Sequence, residues 1–202
     1  MATPEAAWLV VGLGNPGPAY AVARHNAGFR VAAALAAAAG RPFREPERGA
    51  LWTPATIGGR FAVLIQPQEY MNRSGPPVAG WLAALGLSAD NLLVITDDLD
   101  LPVGRVKVAT GGGDAGHRGI RSIGDSLGHL EFLRVRVGIG RPPPSRDPAD
   151  YVLAPPAPEE AGALREAEDR AADAVRVVLA DGPVAAMNRF NVRPGPPSPE
   201  PP

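Results

Sequence analysis

Five short polar segments constrain this chain most, because each one closely follows an apolar run and contains a Gly or Pro turn. They are GLGNPG at residues 12–17, RHNAGF at 24–29, PQEYMNRSG at 67–75, DDLDLPVG at 97–104 and GGGDAGHRG at 111–119. In an α/β protein such segments carry polar side chains from the strand ends into a shared cleft. The sequence therefore predicts an α/β sheet with a functional cleft beyond its strand ends.

The hydrophobic pattern predicts the elements of this sheet and its flanking helices. Strands are expected at residues 8–12, 51–57, 60–66, 92–96, 103–109 and 132–139, and helices at 27–39, from beyond 72 to 85, 118–127 and 159–180. This order predicts a single-domain, three-layer α/β/α sandwich around a twisted mixed central sheet. We expect the domain to span residues 1–193 and the Pro-rich residues 194–202 to form a disordered tail.

Composition excludes several classes of protein. The chain has 202 residues, a formal net charge of -1 and no cysteine, which excludes a disulfide framework, a thiolate zinc site and a cysteine nucleophile. No apolar stretch approaches the roughly 20 residues of a membrane span, and no basic leader precedes an apolar core, so we expect a cytoplasmic protein. The charge argues against dense coating of nucleic acid but permits a local basic patch.

The GLGNPG segment also fits the GxGxxG pattern of dinucleotide-binding folds. That motif requires a helix directly after the third glycine and an acidic residue about 20 positions later. Here Pro18 follows Gly17, the helix begins only near Ala27, and residues 30–42 contain no acid. A tight turn that directs Asn15 into the cleft explains the segment better than a nucleotide site.

His25 and Asp97 are the candidates for acid–base chemistry. His25 lies in a loop ahead of a helix, and Asp97 follows the central apolar strand. A histidine becomes a general base when a carboxylate accepts a hydrogen bond from its other ring nitrogen. The acids Asp97, Asp98 and Asp100 could instead form a solvated turn or a metal site, but they lack a matching histidine cluster, so no metal is expected.

The remaining inventory favours direct attack by water. There is no GxSxG or SxxK segment and no cysteine, hence no covalent nucleophile. Asn15 and Asn72 offer neutral carboxamides that could hold a carbonyl or a peptide N–H, although asparagines beside Pro or Gly also commonly cap turns.

Basic and apolar residues alternate at the strand period of two in two segments, residues 105–108 and 133–137. Each strand would then face the core on one side and present charge on the other, either as a solvated face or as a phosphate-binding surface. Arg118 and Arg121, near a helix start, could join them, since helix N-terminal amides favour phosphate. The candidate residues of this basic region are Arg105, Lys107, Arg121, Arg134 and Arg136.

Together, the five segments closely resemble the bacterial peptidyl-tRNA hydrolase family in order and spacing, over roughly residues 8–190. The resemblance implies the same sandwich fold and an enzyme that cleaves peptidyl-tRNA, with His25 as the base and Asp97 as its orienting acid. It implies that Asn15 and Asn72 bind the peptidyl part, that Met71 packs against it, and that Tyr20 lies near the site. The basic region would meet the tRNA acceptor end and its 5′ phosphate.

Two departures from the family pattern stand out. Arg118 occupies the position of a usual asparagine that helps to place water or substrate, and an arginine cannot accept a hydrogen bond. Gln68 and Glu69 stand where a threonine is usual, and we expect a smaller effect there. The prediction is a monomeric, cofactor-free hydrolase of peptidyl-tRNA. The alternatives are a catalytically impaired RNA-binding paralogue, which Arg118 favours, and a nucleotide-dependent enzyme.

Overall fold

The structure, a computed structural model, describes residues 7–192. Its strands are β1 (Trp8–Gly12), β2 (Arg44–Glu47), β3 (Ala50–Ile57), β4 (Arg60–Pro67), β5 (Leu92–Asp98), β6 (Val106–Thr110) and β7 (Leu133–Gly138). Its α-helices are α1 (Ala27–Ala38), α2 (Gly75–Leu85), α3 (Arg118–Leu127), α4 (Pro148–Leu153), α5 (Pro158–Asp181) and α6 (Pro183–Phe190). Short 3₁₀ turns occur at Pro18–Tyr20, Arg24–Asn26, Met71–Arg73 and Ala89–Asn91.

The seven strands form one mixed sheet in the order β2-β3-β4-β1-β5-β7-β6. Strands β4, β1, β5 and β7 run parallel, whereas β2–β3, β3–β4 and β7–β6 pair antiparallel. The chain runs from β1 to β4 on one side and then to β5 on the other. Such a reversal opens a crevice beyond the carboxyl ends of the parallel strands, where ligands of α/β sheets bind.

Alternation along the central strands divides the core into two halves. Val10, Leu93 and Ile95 are fully buried against a layer built from α1, α4, α5 and α6. Their neighbours Leu9 and Val94 are equally buried on the opposite face, against α2 and α3. Because both faces are covered, β1 and the first four residues of β5 are apolar. The predicted three-layer α/β/α sandwich with a mixed sheet is confirmed.

Some elements differ from the predictions. The edge strand β2 and the short helices α4 and α6 were not predicted, and β6 begins at Val106 because a turn occupies the preceding residues. Helix α2 begins at Gly75, after the Met71–Arg73 turn. The predicted tail at 194–202 lies outside the described residues, so the domain boundary stays a prediction. Among residues 7–192, no helix combines the length and apolarity needed to span a bilayer.

Candidate active site

A cavity of about 500 Å³ lies at the carboxyl ends of the parallel strands. It contains all seven residues predicted for catalysis and substrate binding: Asn15, Tyr20, His25, Met71, Asn72, Asp97 and Arg118. Two of the predicted tRNA-binding residues, Arg134 and Arg136, also line it. The five polar segments of the sequence therefore meet in one cleft, as predicted.

His25 and Asp97 are in direct contact. His25 lies in the Arg24–Asn26 turn that leads into α1, and Asp97 lies near the end of β5. The Nδ1 atom of His25 is 2.9 Å from each carboxylate oxygen of Asp97. Both residues are at least nine-tenths buried, and the second ring nitrogen of His25 is the one left for the cavity. This is the arrangement of a base held by an orienting carboxylate.

Gly28 allows the first turn of α1 to lie close to the sheet beside His25. A β carbon at Gly28 would collide with the carbonyl oxygen of Ile95 and with the backbone of Leu13. The first turn of α1 therefore lies directly on the ends of β1 and β5, which a larger residue would prevent. This close approach brings the turn that carries His25 within hydrogen-bond reach of Asp97.

Asp97 accepts hydrogen bonds from two histidines. His117 Nε2 lies 3.0 Å from Asp97 Oδ1, in addition to the His25 contact. Burial alone would raise the pKa of Asp97, but electrostatic attraction to His25 and His117 and the hydrogen bonds with them outweigh burial and hold this pKa well below its usual range. Asp97 is therefore a carboxylate at neutral pH. Sequence reasoning missed His117; its place directly before a predicted helix start was the available signal.

Among the described residues, one cluster of side chains could offer ligands to a metal ion. It consists of His25, Asp97 and His117, whose potential ligand atoms lie within 4.8 Å of one another. However, the nitrogens that face the carboxylate already form hydrogen bonds with it. A metal ion would have to replace both bonds. The arrangement fits a hydrogen-bonded triad better than a metal centre.

The loop after β1 fixes the carboxamide of Asn15. Its Oδ1 accepts the backbone N–H of Met71 at 2.8 Å, and its own backbone exchanges two hydrogen bonds of 2.9 Å with the side chain of Asn26. Because Oδ1 is occupied, Nδ2 is the group that Asn15 can offer to a ligand. Within residues 7–192, no protein group accepts from this Nδ2. Asn15 is thus a hydrogen-bond donor at the cavity wall.

Arg24 links His25 to the far wall of the cavity. Its buried guanidinium donates to the carbonyl oxygen of Pro155 at 2.6 Å, pairs with Glu160 at 2.7 Å and lies 4.0 Å above the Tyr151 ring. Its backbone N–H also donates to Ala154. These contacts attach the segment that contains α4, which lines the cavity through Val152 and Leu153, to the turn that carries His25. Neither Arg24 nor this wall was predicted from the sequence.

Of the two alternatives for the charged face of residues 133–137, a solvated face or a phosphate-binding surface, the solvated face is wrong for Arg134. Arg134 is only 4% exposed, because the Gly-rich loop covers this face of β7. Its guanidinium donates to the carbonyl oxygens of Gly112, Gly113 and Leu130. Burial, and then repulsion by neighbouring Arg136, lower its pKa. Arg134 therefore holds the loop and faces the cavity rather than bulk solvent.

The other basic residues differ in their surroundings. Arg136 Nε pairs with Asp98 Oδ2 at 2.5 Å at the edge of the cavity, and Lys107 is exposed opposite it in β6. Arg121 is exposed but bonds to Asp114 at 2.7 Å, and that bond lowers the pKa of Asp114. Arg105 donates to the carbonyl oxygen of Val192, away from the cavity residues.

The cavity rim is formed by exposed side chains. Arg118, the first residue of α3, and Asn72 are exposed and have no hydrogen-bond partner among residues 7–192. Tyr20 is half-buried, and Tyr70, which was not predicted, is 63% exposed. The rim therefore combines one unpaired cation, a carboxamide and two phenol rings around the His25–Asp97 pair.

The fold and the site define an α/β/α protein whose switch-point cavity contains a histidine–carboxylate base. A sequence model of the family described as peptidyl-tRNA hydrolase matches residues 9–198. The chain belongs to the peptidyl-tRNA hydrolase family.

Individual members of the family are similar to this chain over nearly its whole length. It is 45% identical over 189 residues to a peptidyl-tRNA hydrolase of Frankia casuarinae, covering 94% of this chain and 96% of the relative. Identity to that of Chloroflexus aggregans is 47% over 185 residues, covering 91% and 98%. The crystal structure of peptidyl-tRNA hydrolase from Acinetobacter baumannii is similar, with a TM-score of 0.85, 36% identity and coverage of 92% and 94%.

Proposed function

We propose that this protein hydrolyses the ester bond between the carboxyl end of a peptide and the 3′ ribose of tRNA. The observation that carries the proposal is the His25–Asp97 pair, buried at the base of the cavity with the second imidazole nitrogen of His25 left for a ligand. Membership of the family and nearly full-length similarity to peptidyl-tRNA hydrolases support it.

In the proposed reaction, His25 Nε2 removes a proton from a water molecule as its oxygen attacks the ester carbonyl. Asp97 accepts from His25 Nδ1 and stabilises the imidazolium that forms. The carbonyl–ribose bond then breaks, and the same proton passes from His25 to the leaving 3′ oxygen of the ribose. The products are a peptide carboxylic acid and free tRNA, without a metal or other cofactor.

The asparagines and neighbouring residues would hold the peptidyl part. Asn15 Nδ2 is a preorganised donor for a substrate carbonyl, because Met71 fixes the opposite end of the carboxamide. Asn72 and Tyr20 offer further polar contacts at the rim, and the buried Met71 side chain gives an apolar wall.

The tRNA backbone would meet the basic residues on the β7 side of the cavity. Arg134 and Arg136 repel each other, so an anion between them would be favourable. Lys107 adds an exposed cation on the same side, and Arg121 and Arg105 are more distant candidates. Such contacts would recognise phosphate and shape rather than base sequence.

Arg118 has a separate part in the proposal. Its exposed guanidinium at the rim would bind a backbone phosphate or a carbonyl of the substrate, where the family pattern has a neutral asparagine. Arg118→Asn should then raise KM and weaken the dependence of KM on salt, because one phosphate contact is lost. Arg41→Asn is the matched control. Arg41 is equally exposed, but it lies beyond the C-terminal end of α1, whereas His25 and the cavity lie at the N-terminal end. Equal salt dependence in all three proteins would remove Arg118 from substrate binding.

Two further expectations belong to the proposal. The enzyme would act as a monomer, since the His25–Asp97 pair and the predicted substrate-binding residues lie together within one fold, and it would work in the cytoplasm during translation. The alternative of an impaired RNA-binding paralogue receives no support from the described residues, since the His25–Asp97 contact is intact despite Arg118.

The test is the release of N-acetyl-amino acid from N-acetyl-aminoacyl-tRNA by the purified protein in the presence of a chelator, with unblocked aminoacyl-tRNA as the comparison substrate. We expect metal-independent cleavage of the blocked substrate and little cleavage of the unblocked one. A folded protein that binds tRNA but cleaves neither substrate would replace the proposal with the non-catalytic alternative.

A further inference from the structure

The ring of His117 is fixed by the start of α3. Its Nδ1 accepts the backbone N–H groups of Gly119 at 3.1 Å and Ile120 at 3.3 Å, so the imidazole is the N-cap of this helix. Backbone amides can only donate, and therefore Nδ1 must carry a lone pair and no proton. The N-terminal turn of a helix, with its partial positive charge, further opposes a proton at this atom.

The proton of the neutral His117 ring must then lie on Nε2. This atom is 3.0 Å from Asp97 Oδ1, so His117 donates to the carboxylate and cannot accept from it. A second proton on the ring would break both bonds to the α3 backbone. The helix start thus fixes both the tautomer and the orientation of His117.

Because His117 is a fixed donor to Asp97, it limits how the Asp97 carboxylate can bind His25. Asp97 is buried, and His117 holds one of its oxygens, while His25 Nδ1 lies 2.9 Å from both. The two imidazole rings are 4.8 Å apart and inclined by 48°, on the same carboxylate. With its charge retained and its plane fixed, Asp97 favours a proton on His25 Nδ1, which leaves a lone pair on His25 Nε2.

We infer that His117 is a positioning residue for the hydrolysis, acting through Asp97 on the tautomer and basicity of His25. The inference rests on the proposed function, in which His25 Nε2 is the general base. His117 itself does not have to touch the substrate. The hydrogen bond from His117 neutralises part of the negative charge of Asp97. Asp97 therefore orients His25 as a base but does not keep it protonated as an imidazolium.

The first test does not depend on substrate. Nitrogen-15 NMR of ring-labelled protein should show His117 protonated at Nε2 and bare at Nδ1 across pH 6–8, and His25 protonated at Nδ1. His129 is the internal control, because its Nδ1 also accepts a backbone N–H but its ring is exposed. A proton on Nδ1 of His117 at pH 7 would overturn the inference, even if the protein is an active hydrolase.

The second test is His117→Asn, which retains a favoured helix N-cap but is too short to reach Asp97. His129→Asn is the matched control. We expect kcat/KM at pH 7 to fall by about tenfold or more, the rate equivalent of one hydrogen bond to a charged group. KM should change little, since His117 acts through Asp97.

The pH profile separates positioning from a structural role. Without His117, the full charge of Asp97 favours the imidazolium of His25, so the acid limb of the kcat/KM profile should move to higher pH by about half a unit or more. The other charged or titratable groups that face this cluster are unchanged in the variant: Tyr20, Tyr70, Asp98, Asp114, Arg118, Arg134, Arg136 and Asp147. An unmoved acid limb would overturn the inference, whatever the rate. If wild-type protein does not cleave the substrate, the proposed function fails instead, and the NMR result still decides the proton positions.

Discussion

Replacing Asp97 with asparagine should slow the reaction severely, for a reason specific to this triad. Two N–H donors point at Asp97, from His25 at 2.9 Å and His117 at 3.0 Å, but a carboxamide offers only one oxygen. Because His117 is fixed as a donor, it should retain that oxygen. The amide NH₂ would then face His25 Nδ1 and force its proton to Nε2, which removes the lone pair required for catalysis.

We expect Asp97→Asn to lower kcat by about 10⁴, as the wrong histidine tautomer does in a Ser-His-Asp triad, which corresponds to about 5.4 kcal/mol in the activation free energy. Single-turnover cleavage of N-acetyl-aminoacyl-tRNA measures it. The double variant Asp97→Asn, His117→Asn frees the carboxamide oxygen to accept from His25, so it should be faster than Asp97→Asn alone. A double variant slower than the single one, or a single variant within tenfold of wild type, would refute this reasoning.

Three further predictions concern stability. The lowered pKa of Asp97 means that its stabilising contribution is complete above its unfolded-state pKa of about 4 and is lost progressively as pH falls below that value, so the urea midpoint of Asp97→Asn should vary less between pH 5 and pH 3 than that of wild type. Gly28→Ala should lower the free energy of unfolding by about 3 kcal/mol or more, because the added β carbon would collide with backbone atoms. Gly80→Ala, which has open space at its β carbon, should be neutral or stabilising by up to about 1 kcal/mol. Equal urea midpoints for the two variants would contradict this. Arg134→Gln should cost about 2–4 kcal/mol and speed amide hydrogen exchange at residues 111–116, and an unchanged exchange rate there would show that Arg134 does not hold the loop.

The sequence predicted best what depends on local pattern. Helix α3 occupies the predicted residues 118–127, and β3 and β4 pair through the predicted Gly58–Gly59 turn, because periodicity and turn residues are local signals. Strand β2 was missed because Arg44–Glu47 is wholly exposed and consists of three charged residues and a proline, so no alternation marks it. Helices α4 and α6 are six and eight residues long, too short for a clear helical stripe.

The site was predictable in its parts but not in its connections. The positions of the motifs relative to the predicted strands correctly indicated that His25 and Asp97 lie close together, since parallel strands end at the same edge of the sheet. The contact of His117 with Asp97 spans 20 residues and depends on where α3 begins in space. Likewise, strand alternation identified the face of Arg134 but could not show that the Gly-rich loop covers that face. Both features depend on tertiary packing, which no local pattern encodes.

The most direct test of the account is the single-turnover rate of ester cleavage by His25→Ala, measured with enzyme in excess over N-acetyl-aminoacyl-tRNA. His129→Ala is the control, as an exposed histidine outside the cavity. If His25 is the general base, its loss should slow cleavage by about 10²–10⁴ while tRNA binding remains near wild type and circular dichroism shows a folded protein. A His25→Ala rate within about tenfold of both wild type and His129→Ala would contradict the assignment of His25 as the base.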